Sequence, residues 1–245
     1  MPAITDPEIL RQPIFLRRKL WRYMDFTKFV SLISSNNLFL SRIDKFRDPY
    51  EGMLPKENEL IKQKNEQKTN NSYRDTIKHN KEKYYANCWY ASRYESAAMW
   101  VLYAKTNEAI AIETNYQILS EELPDYVYLG LVSYIDYKKK SIKMHSDDSI
   151  NSMNIFMYKR KSFLHEKEAR IIMSIDNIDK TKQNHEGVYI PINLNKLIKK
   201  IHIAPDAPSW FEDLVKDIAI KHSIKAPVIK SSLYLSPDNE SIIVK

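Results

Sequence analysis

The chain has 245 residues, 43% of them hydrophobic and 28% charged, a composition typical of folded globular proteins and not of disordered ones. One cysteine excludes an intramolecular disulfide framework and a multi-cysteine zinc site, and three glycines are too few for a Walker loop or a GxGxxG turn. The net charge of +7 fits either nucleic-acid contact or a lysine-rich proteome, and no apolar run reaches the roughly 20 residues of a membrane span, so we expect a basic cytoplasmic protein without membrane contact.

Alternating strand and helix patterns run along most of the chain. Strands are predicted from aromatic, β-branched or compact apolar content at KLWRYM (19–24), LFLSRI (38–43), YYANCWY (84–90), EAIAIET (108–114), LGLVSYIDY (129–137), ARIIMSI (169–175), GVYIPI (187–192), IHIAP (201–205) and APVIKSSLYL (226–235). Helices are predicted at TKFVSLISSNN (27–37), ESAAMWVLYA (95–104), NLNKLIKK (193–200) and APSWFEDLVKDIAIKH (207–222). The apolar run MNIFMYKRKSFL (153–164) fits either a helix or a strand.

These elements predict a single α+β domain over residues 1–245, with a mixed, mainly antiparallel sheet flanked by helices. Residues 55–83 are predicted as a hydrophilic helical insertion, and residues 187–245 as a C-terminal strand-helix-strand section. Asp25 is expected to cap the first helix and the pair Asn36-Asn37 to end it. Ser92 and Glu95 have the spacing of a capping box before the second helix.

Two charged segments are candidates for chemistry. Glu166 and Glu168 flank Lys167 just before an apolar strand, where they form either a catalytic carboxylate pair or the solvated side of a turn with Lys161, Lys167 and Arg170 as counterions. The loop SRIDKFRDPYEG crowds charges around a proline turn, and we expect it at the rim of a cleft. The six histidines have no metal-ligand spacing, so no metal is expected.

Lysines and arginines alternate with aromatic residues in KKKSIKMH (138–145) and FMYKRKSF (156–163). That pattern suits nucleic-acid binding through phosphate attraction and base stacking on Phe156, Tyr158 and Phe163, and it equally suits a solvated lysine-rich loop beside a core segment. A metal-dependent nuclease built on Asp44, Asp48, Glu166, Glu168 and Lys161 is a further hypothesis, although no contiguous nuclease motif is present.

Several motifs together resemble the bacterial family known as domain of unknown function 2971. They are Trp21-Arg22-Tyr23, the loop motif of Phe46, Asp48, Pro49, Glu51 and Gly52, the pair Cys88-Trp89, the motif of Glu95, Ser96, Met99, Trp100 and Tyr103, and Lys161 with the segment ending in Glu168-Ala169-Arg170. The order of elements is also similar to the ADP-ribosyltransferase superfamily, which places an Arg or His on the first strand and a Glu, sometimes as ExE, at the start of a later one. The middle strand departs from that layout, since it lacks a Ser-Thr-Ser stretch.

This resemblance implies an enzyme that uses NAD as its substrate. Glu168 would stabilise the positive charge on the ribose, Glu166 would orient the acceptor, and Arg22 would bind a phosphate or the ribose. The residues implied at the NAD site are Tyr23, Ser41, Arg42, Asp48, Glu51, Trp89, Glu95, Trp100, Tyr103 and Lys161. The acceptor would be a nucleic acid or a protein, in a toxin or phage-defence setting with a partner protein. The alternative is a non-catalytic module that binds a nucleotide or a nucleic acid.

Overall fold

The structure is a computed structural model and describes residues 2–66, 70–104, 106–139, 141, 142, 145, 152–177 and 186–237. The chain forms two compact units. The first comprises Met1–Phe15, Phe39–Tyr90 and Leu123–Ile190, and the second comprises Leu16–Leu38, Ala91–Glu122 and Pro191–Lys245. Each unit is assembled from three separate stretches of chain, so its core depends on pairing between segments that are far apart in sequence. The predicted single domain, with its insertion and C-terminal section, stays a prediction.

The secondary structure follows the predicted alternation closely. The strands are β1 Lys19–Asp25, β2 Asn37–Arg42, β3 Tyr84–Ala91, β4 Ala109–Asn115, β5 Tyr128–Leu131, β6 Ser133–Ile135, β7 Tyr158–Arg160, β8 Glu168–Ser174, β9 Gly187–Pro191, β10 Lys200–Ile203 and β11 Val228–Lys230. The helices are α1 Phe26–Ser35, α2 Lys56–Glu66, α3 Asn70–Lys83, α4 Ala97–Tyr103, α5 Tyr116–Glu122, α6 Leu194–Leu197 and α7 Ser209–Lys221. No helix in the described ranges is both long and apolar enough to cross a membrane.

The first unit contains strands in the order β9-β2-β3-β8-β5. β3 pairs antiparallel with β2 and with β8, and β8 pairs antiparallel with β5. Two short strands, β6 and β7, form a separate parallel pair. One apolar cluster packs Phe156 and Ile172 with Ile43 and Leu54, beneath the charged loop that the sequence singled out. This cluster positions that loop relative to β8.

The second unit contains strands in the order β11-β10-β4-β1. β4 pairs antiparallel with both β1 and β10, whereas β10 and β11 are parallel. β4 is buried along its whole length, as its compact apolar sequence predicts. Both units therefore have mixed or mainly antiparallel strand pairing with flanking helices, and the predicted α+β class is confirmed.

Helix α1 shows how local sequence sets the element boundaries. The Asp25 carboxylate accepts a hydrogen bond from the backbone N–H of Lys28 at 2.9 Å, which satisfies one of the free donors at the helix start. Asn36 ends the helix in the left-handed region at φ 51°, a conformation that asparagine tolerates better than most residues. Both predicted boundaries are confirmed.

Three predicted elements differ from the structure. LGLVSYIDY is not one strand: β5 pairs with β8 and β6 pairs with β7, and the break falls at Val132, whose N–H binds the carbonyl of Glu168 at 2.9 Å. The last predicted strand is reduced to β11, which ends at Lys230. The helix over 193–200 is only α6, since β10 already begins at Lys200. The ambiguous run 153–164 contains β7 between two short 3-10 turns.

Gly52 explains how the charged loop packs so closely. Its φ of +71° lies in the left-handed region, and a Cβ placed there would lie 2.4 Å from Cε1 of Phe156. Glycine therefore meets two requirements at this position, the backbone conformation and the space for the Phe156 ring. The loop therefore packs against the apolar cluster that contains Phe156 and Ile172 of β8.

Candidate functional site

The two glutamates are buried and close together, which shows that their interpretation as a solvated turn is wrong. Glu166 ends a 3-10 turn at Lys161–Glu166, Lys167 is in the left-handed region at φ 39°, and Glu168 begins β8. Only 7% of Glu166 and 4% of Glu168 is exposed. Glu166 therefore precedes β8, and the left-handed residue Lys167 connects it to Glu168 at the start of that strand.

Lys159 on β7 is the cation between the two carboxylates. Its ammonium group contacts Oε2 of Glu166 and lies 2.6 Å from Oε1 of Glu168. Lys161, the lysine that the sequence singled out, is exposed at the start of the 3-10 turn. Within β7, Lys159 is buried and its two neighbours are half-buried, an alternation that no local pattern in the sequence indicates.

Arg170 connects the glutamates to the charged loop. Its side chain is fully buried, and Nε and Nη2 donate to Oε2 of Glu168 at 3.0 and 2.8 Å. Nη1 donates to Oε1 of Glu51 and to the carbonyl of Phe156, the latter at 2.6 Å. Burial alone would lower the pKa of Arg170, but the charges of Glu168 and Glu51 outweigh it and hold that pKa well above the usual value.

Asp48 and Arg160 form the outer part of the same cluster. Nη2 of Arg160 donates to Oδ1 of Asp48 at 2.7 Å, and the guanidinium carbon lies 4.4 Å from the centre of the Tyr50 ring and 5.3 Å from that of Phe163. Oδ2 of Asp48, Oε2 of Glu51 and Nε of Arg160 are buried, with no hydrogen-bond partner among the described residues. The loop residues Asp48 and Glu51 thus lie with Glu166 and Glu168 in the first unit, as parts of one charged cluster.

The two glutamates differ in protonation although they are neighbours. Burial, and then the neighbouring Glu168 carboxylate, raise the pKa of Glu166 to about 7. Burial would also raise the pKa of Glu168, but the charges of Arg170 and Lys159 outweigh it and hold this pKa well below its usual range. Two carboxyl groups whose pKa values are separated in this way can serve as an ionised group and a proton-exchanging group at neutral pH.

Three other residues of the first unit that are predicted to bind a ligand have surroundings that differ from the charged cluster of the two glutamates. Arg42 forms a two-pronged ion pair with Asp44, with distances of 2.7 and 2.8 Å, and the Ser41 hydroxyl lies 3.5 Å from the carbonyl of Arg42. Trp89 is opposite Ala169 in the register of β3 and β8, so its ring projects from the face of the sheet opposite to Glu168. Stacking of Trp89 on a ligand at Glu168 is therefore contradicted.

In the second unit, the predicted residues Tyr23, Glu95 and Trp100 come together. The Tyr23 ring meets the Trp100 ring edge-on at 4.9 Å, and the Tyr23 hydroxyl accepts a hydrogen bond from the N–H of Ser96. Glu95 accepts hydrogen bonds from the Trp100 indole at 3.1 Å and from the Ser231 hydroxyl at 2.8 Å. These contacts hold α4 and β11 in place, and the same residues remain candidates for a ligand site.

The capping box predicted for α4 is wrong. Ser96 is the cap, since its hydroxyl accepts from the N–H of Met99 at 3.4 Å, and Glu95 lies before the helix. Tyr103 is exposed at the end of α4.

Arg22 and Tyr23 are consecutive on β1 and so project from opposite faces of it, which separates two residues that the resemblance assigns to one ligand. Arg22 lies in the second unit, and both glutamates lie in the first.

Sequence reasoning missed one further cluster in the second unit. The Glu113 carboxylate on β4 binds Lys19 at 2.9 Å and Nε2 of His202 at 3.0 Å, and the Trp21 ring lies 4.7 Å from the His202 ring. Burial opposes ionisation of Glu113, but these two partners hold its pKa at about 2. The pairing of β1 and β10 with β4 brings Lys19 and His202 to Glu113. No local pattern in the sequence predicts that pairing.

No protein-family model matches the chain, and no protein of curated function matches it either. Among solved structures, DarT from Thermus sp. 2.9 in complex with ADP-ribosylated ssDNA is similar, with a TM-score of 0.41 and 8% identity over 90% of this chain and 95% of that chain. This distant likeness is not evidence for an activity of the chain. The resemblance to the family of unknown function 2971 stays a prediction.

The carboxylates of the nuclease hypothesis are all bound by cationic side chains. Asp44 pairs with Arg42, Asp48 pairs with Arg160, and both glutamates pair with Lys159. Within the part of the chain that the structure describes, no three His, Cys, Asp or Glu side chains are grouped so that they could hold a metal ion. That hypothesis therefore has no ligand set among those residues.

The predicted nucleic-acid surface is wrong in part. Phe156 is completely buried in the apolar core, and Lys159 is buried against the glutamates, so neither is available to a nucleic acid. Phe163 is half-buried beneath the cations of Lys159 and Arg160, at 4.7 and 5.3 Å. Of the segment KKKSIKMH, residues 140, 143 and 144 lie outside the described ranges.

Proposed function

We propose that the chain is an ADP-ribosyltransferase-like enzyme that uses NAD as its substrate, with Glu166 and Glu168 as its carboxylates. The observation that carries this proposal is the burial of both glutamates against one lysine, with the pKa of Glu166 raised to about 7. Paired acids with separated pKa values are more often found at functional sites than on solvated turns.

The chemistry requires one group that is ionised and one that exchanges a proton. When the bond between nicotinamide and ribose breaks, nicotinamide leaves with the bonding electron pair and the ribose becomes cation-like. The ionised Glu168 would stabilise that positive charge, and an ionised Glu166 would take the proton from the attacking acceptor group as the new bond to the ribose forms.

We propose a nucleic acid or a protein as the acceptor. Lys161 precedes the two glutamates in sequence, and Lys167 lies between them. Both lysines are exposed, which favours an acceptor with negative charge. The setting in a toxin or phage-defence system, with a partner protein, follows from the resemblance to the superfamily alone.

One observation favours a second candidate function, a module that binds a nucleotide or nucleic acid without turning it over. Both oxygens of Glu168 are engaged by cations, Oε1 by Lys159 and Oε2 by Arg170, as in a network that holds a fold together. For catalysis, the substrate must approach a carboxylate that these cations already neutralise. For binding alone, no such approach is needed.

NAD consumption by the purified chain separates the two candidates, measured with single-stranded DNA, RNA or a basic protein as the acceptor. We expect Glu168→Gln to lower turnover by at least about 100-fold, since a carboxylate that stabilises a developing charge contributes on that scale. The matched control is Glu57→Gln, an exposed glutamate of the same unit. Thermal unfolding of every variant shows whether the fold is retained.

Turnover of Glu168→Gln at the level of the parent would overturn the enzymatic proposal. Because Glu168 is buried between two cations, that variant can lose its fold, and Glu166→Gln then provides the test, since it replaces the carboxyl that carries a proton near pH 7. Saturable NAD binding without consumption under any acceptor would favour the binding module. Binding and consumption both absent would count against both candidates.

A further inference from the structure

The Glu166 and Glu168 carboxylates are neighbours, because both contact the ammonium group of Lys159. Two ionised carboxylates in such contact repel one another, so the pair retains one proton to a higher pH than an isolated glutamate does. Arg170 contacts Glu168 and Lys159 contacts both, so Glu168 is the better stabilised anion and the proton resides on Glu166. The pair therefore has one proton to lose near neutral pH.

Lys159 is fixed in position by the fold around it. Its strand β7 pairs with β6, where Lys159 is in register with Tyr134, and its ammonium group lies 4.7 Å from the Phe163 ring centre. The Tyr134 hydroxyl in turn accepts the backbone N–H of Glu168 at 2.8 Å. The parallel pair β6-β7 thus holds both the lysine and the start of β8.

We propose that Lys159 is a positioning residue of the carboxylate pair: its ammonium group holds Glu166 and Glu168 side by side and stabilises the state in which the pair has lost its shared proton. The effect of Lys159 on catalysis rests on the proposed function, in which an ionised Glu166 takes a proton from the acceptor. Lys159 itself touches neither NAD nor the acceptor in this scheme.

Several other charged or titratable groups interact with the pair or with its partner Arg170. They are Arg170 on β8, Tyr134 on β6, Cys88 on β3 and, through Arg170, Glu51 of the charged loop. Tyr134 and Cys88 are both neutral near pH 7, because burial raises their pKa values far above the usual range. Arg170 stays charged throughout. Among these groups, Arg170 contacts Glu168, whereas Lys159 contacts both glutamates.

The test is a carbon-13 NMR titration of the glutamate side-chain carboxyl groups in the full chain. Glu166→Gln identifies the signal of Glu166. We expect Lys159→Met to move the midpoint of the pair upward by at least about one pH unit, since a cation in direct contact with a carboxylate changes its pKa on that scale. Lys159→Arg, which keeps the charge, should stay within about half a unit of the parent. The matched control is Lys161→Met, which removes the exposed lysine two residues away and should leave the midpoint unchanged.

An unchanged midpoint in Lys159→Met would overturn the assignment, and so would an equal shift in Lys161→Met. Where Lys159→Met does not fold, Glu166→Gln is compared with the double variant Lys159→Met/Glu166→Gln, which loses one carboxylate along with the lysine. The Glu168 midpoint should be higher in the double variant, and equal midpoints would again overturn the assignment.

The same titration distinguishes this inference from the proposed function. The NMR midpoints can be measured without turnover, so they test the role of Lys159 whether or not NAD is consumed. If NAD is consumed, the pH profile of kcat should shift upward in Lys159→Met together with the NMR midpoint, while KM for NAD changes little. If NAD is not consumed but the midpoints move as expected, the proposed function fails and the role of Lys159 stands.

Discussion

Replacing Glu166 with glutamine should change how stability depends on pH. The pKa of Glu166 is raised from 4.5 to about 7 in the folded chain, so between these values the folded state binds more protons than the unfolded state. The free energy of unfolding must therefore fall as the pH rises through this window. The full pKa shift corresponds to a change of about 3 kcal/mol in the free energy of unfolding. Because Glu168 titrates together with Glu166, we expect about 2 kcal/mol from Glu166.

Glutamine resembles the protonated form of Glu166 and cannot ionise, so Glu166→Gln should lack this pH dependence. Urea unfolding at about pH 5 and about pH 8 measures the effect, as the difference between parent and variant at each pH. We expect the variant to gain about 2 kcal/mol relative to the parent between the two conditions. Glu57→Gln, at an exposed site, should show no such change. A difference between parent and Glu166→Gln that is constant across this range would refute the reasoning.

Three other substitutions test contacts of the charged loop in the first unit and the cap of α1 in the second unit. Glu51→Gln should lower the free energy of unfolding by about 3 kcal/mol, because it leaves the fully buried Arg170 short of one anionic partner; a loss below about 1 kcal/mol in urea unfolding would contradict the pairing. Gly52→Ala should cost about 2 kcal/mol or more in the same assay, since its Cβ would meet the Phe156 ring at a positive φ, and a neutral effect would contradict that packing. Asp25→Ala should cost about 1 kcal/mol near pH 7 through loss of the cap of α1. Because the pKa of Asp25 is held at about 2, that difference should shrink only as the pH falls from about 4 toward 2, and a difference already absent at about pH 5 would contradict the cap.

Local patterns predicted most strands and the boundaries of α1. β4 was predictable because a run of apolar residues is buried on both faces, and α1 because Asp25 and Asn36 supply the interactions and conformations that helix ends need. Errors arose where long-range contacts decided the outcome. LGLVSYIDY has strand character throughout, but its two halves pair with different partners, and Ser96 displaced Ser92 as the cap of α4.

For the candidate site, the sequence identified the acids and named Arg170 as a counterion, but it did not single out Lys159. Glu51, Glu166 and Glu168 stood out because charges crowded around a proline turn or preceded an apolar strand. Lys159 belongs to a basic segment whose pattern fits either a nucleic-acid surface or a solvated loop, and in both of these a lysine is exposed. Its burial depends on which face of β7 points inward, and the pairing of β7 with β6 sets that face.

The sequence alone determined the α+β class, the order of most elements and the presence of two acidic segments, because propensity, apolar spacing and helix caps act over a few residues. Only the tertiary structure decided that Glu51 meets Arg170, that Trp89 projects away from Glu168, and that Glu166 and Glu168 share one lysine. These facts depend on strand register and on the left-handed conformation of Lys167 between the two glutamates. Burial and the charges of Arg170 and Lys159 then set the protonation of the pair, and both are properties of the folded chain rather than of any segment.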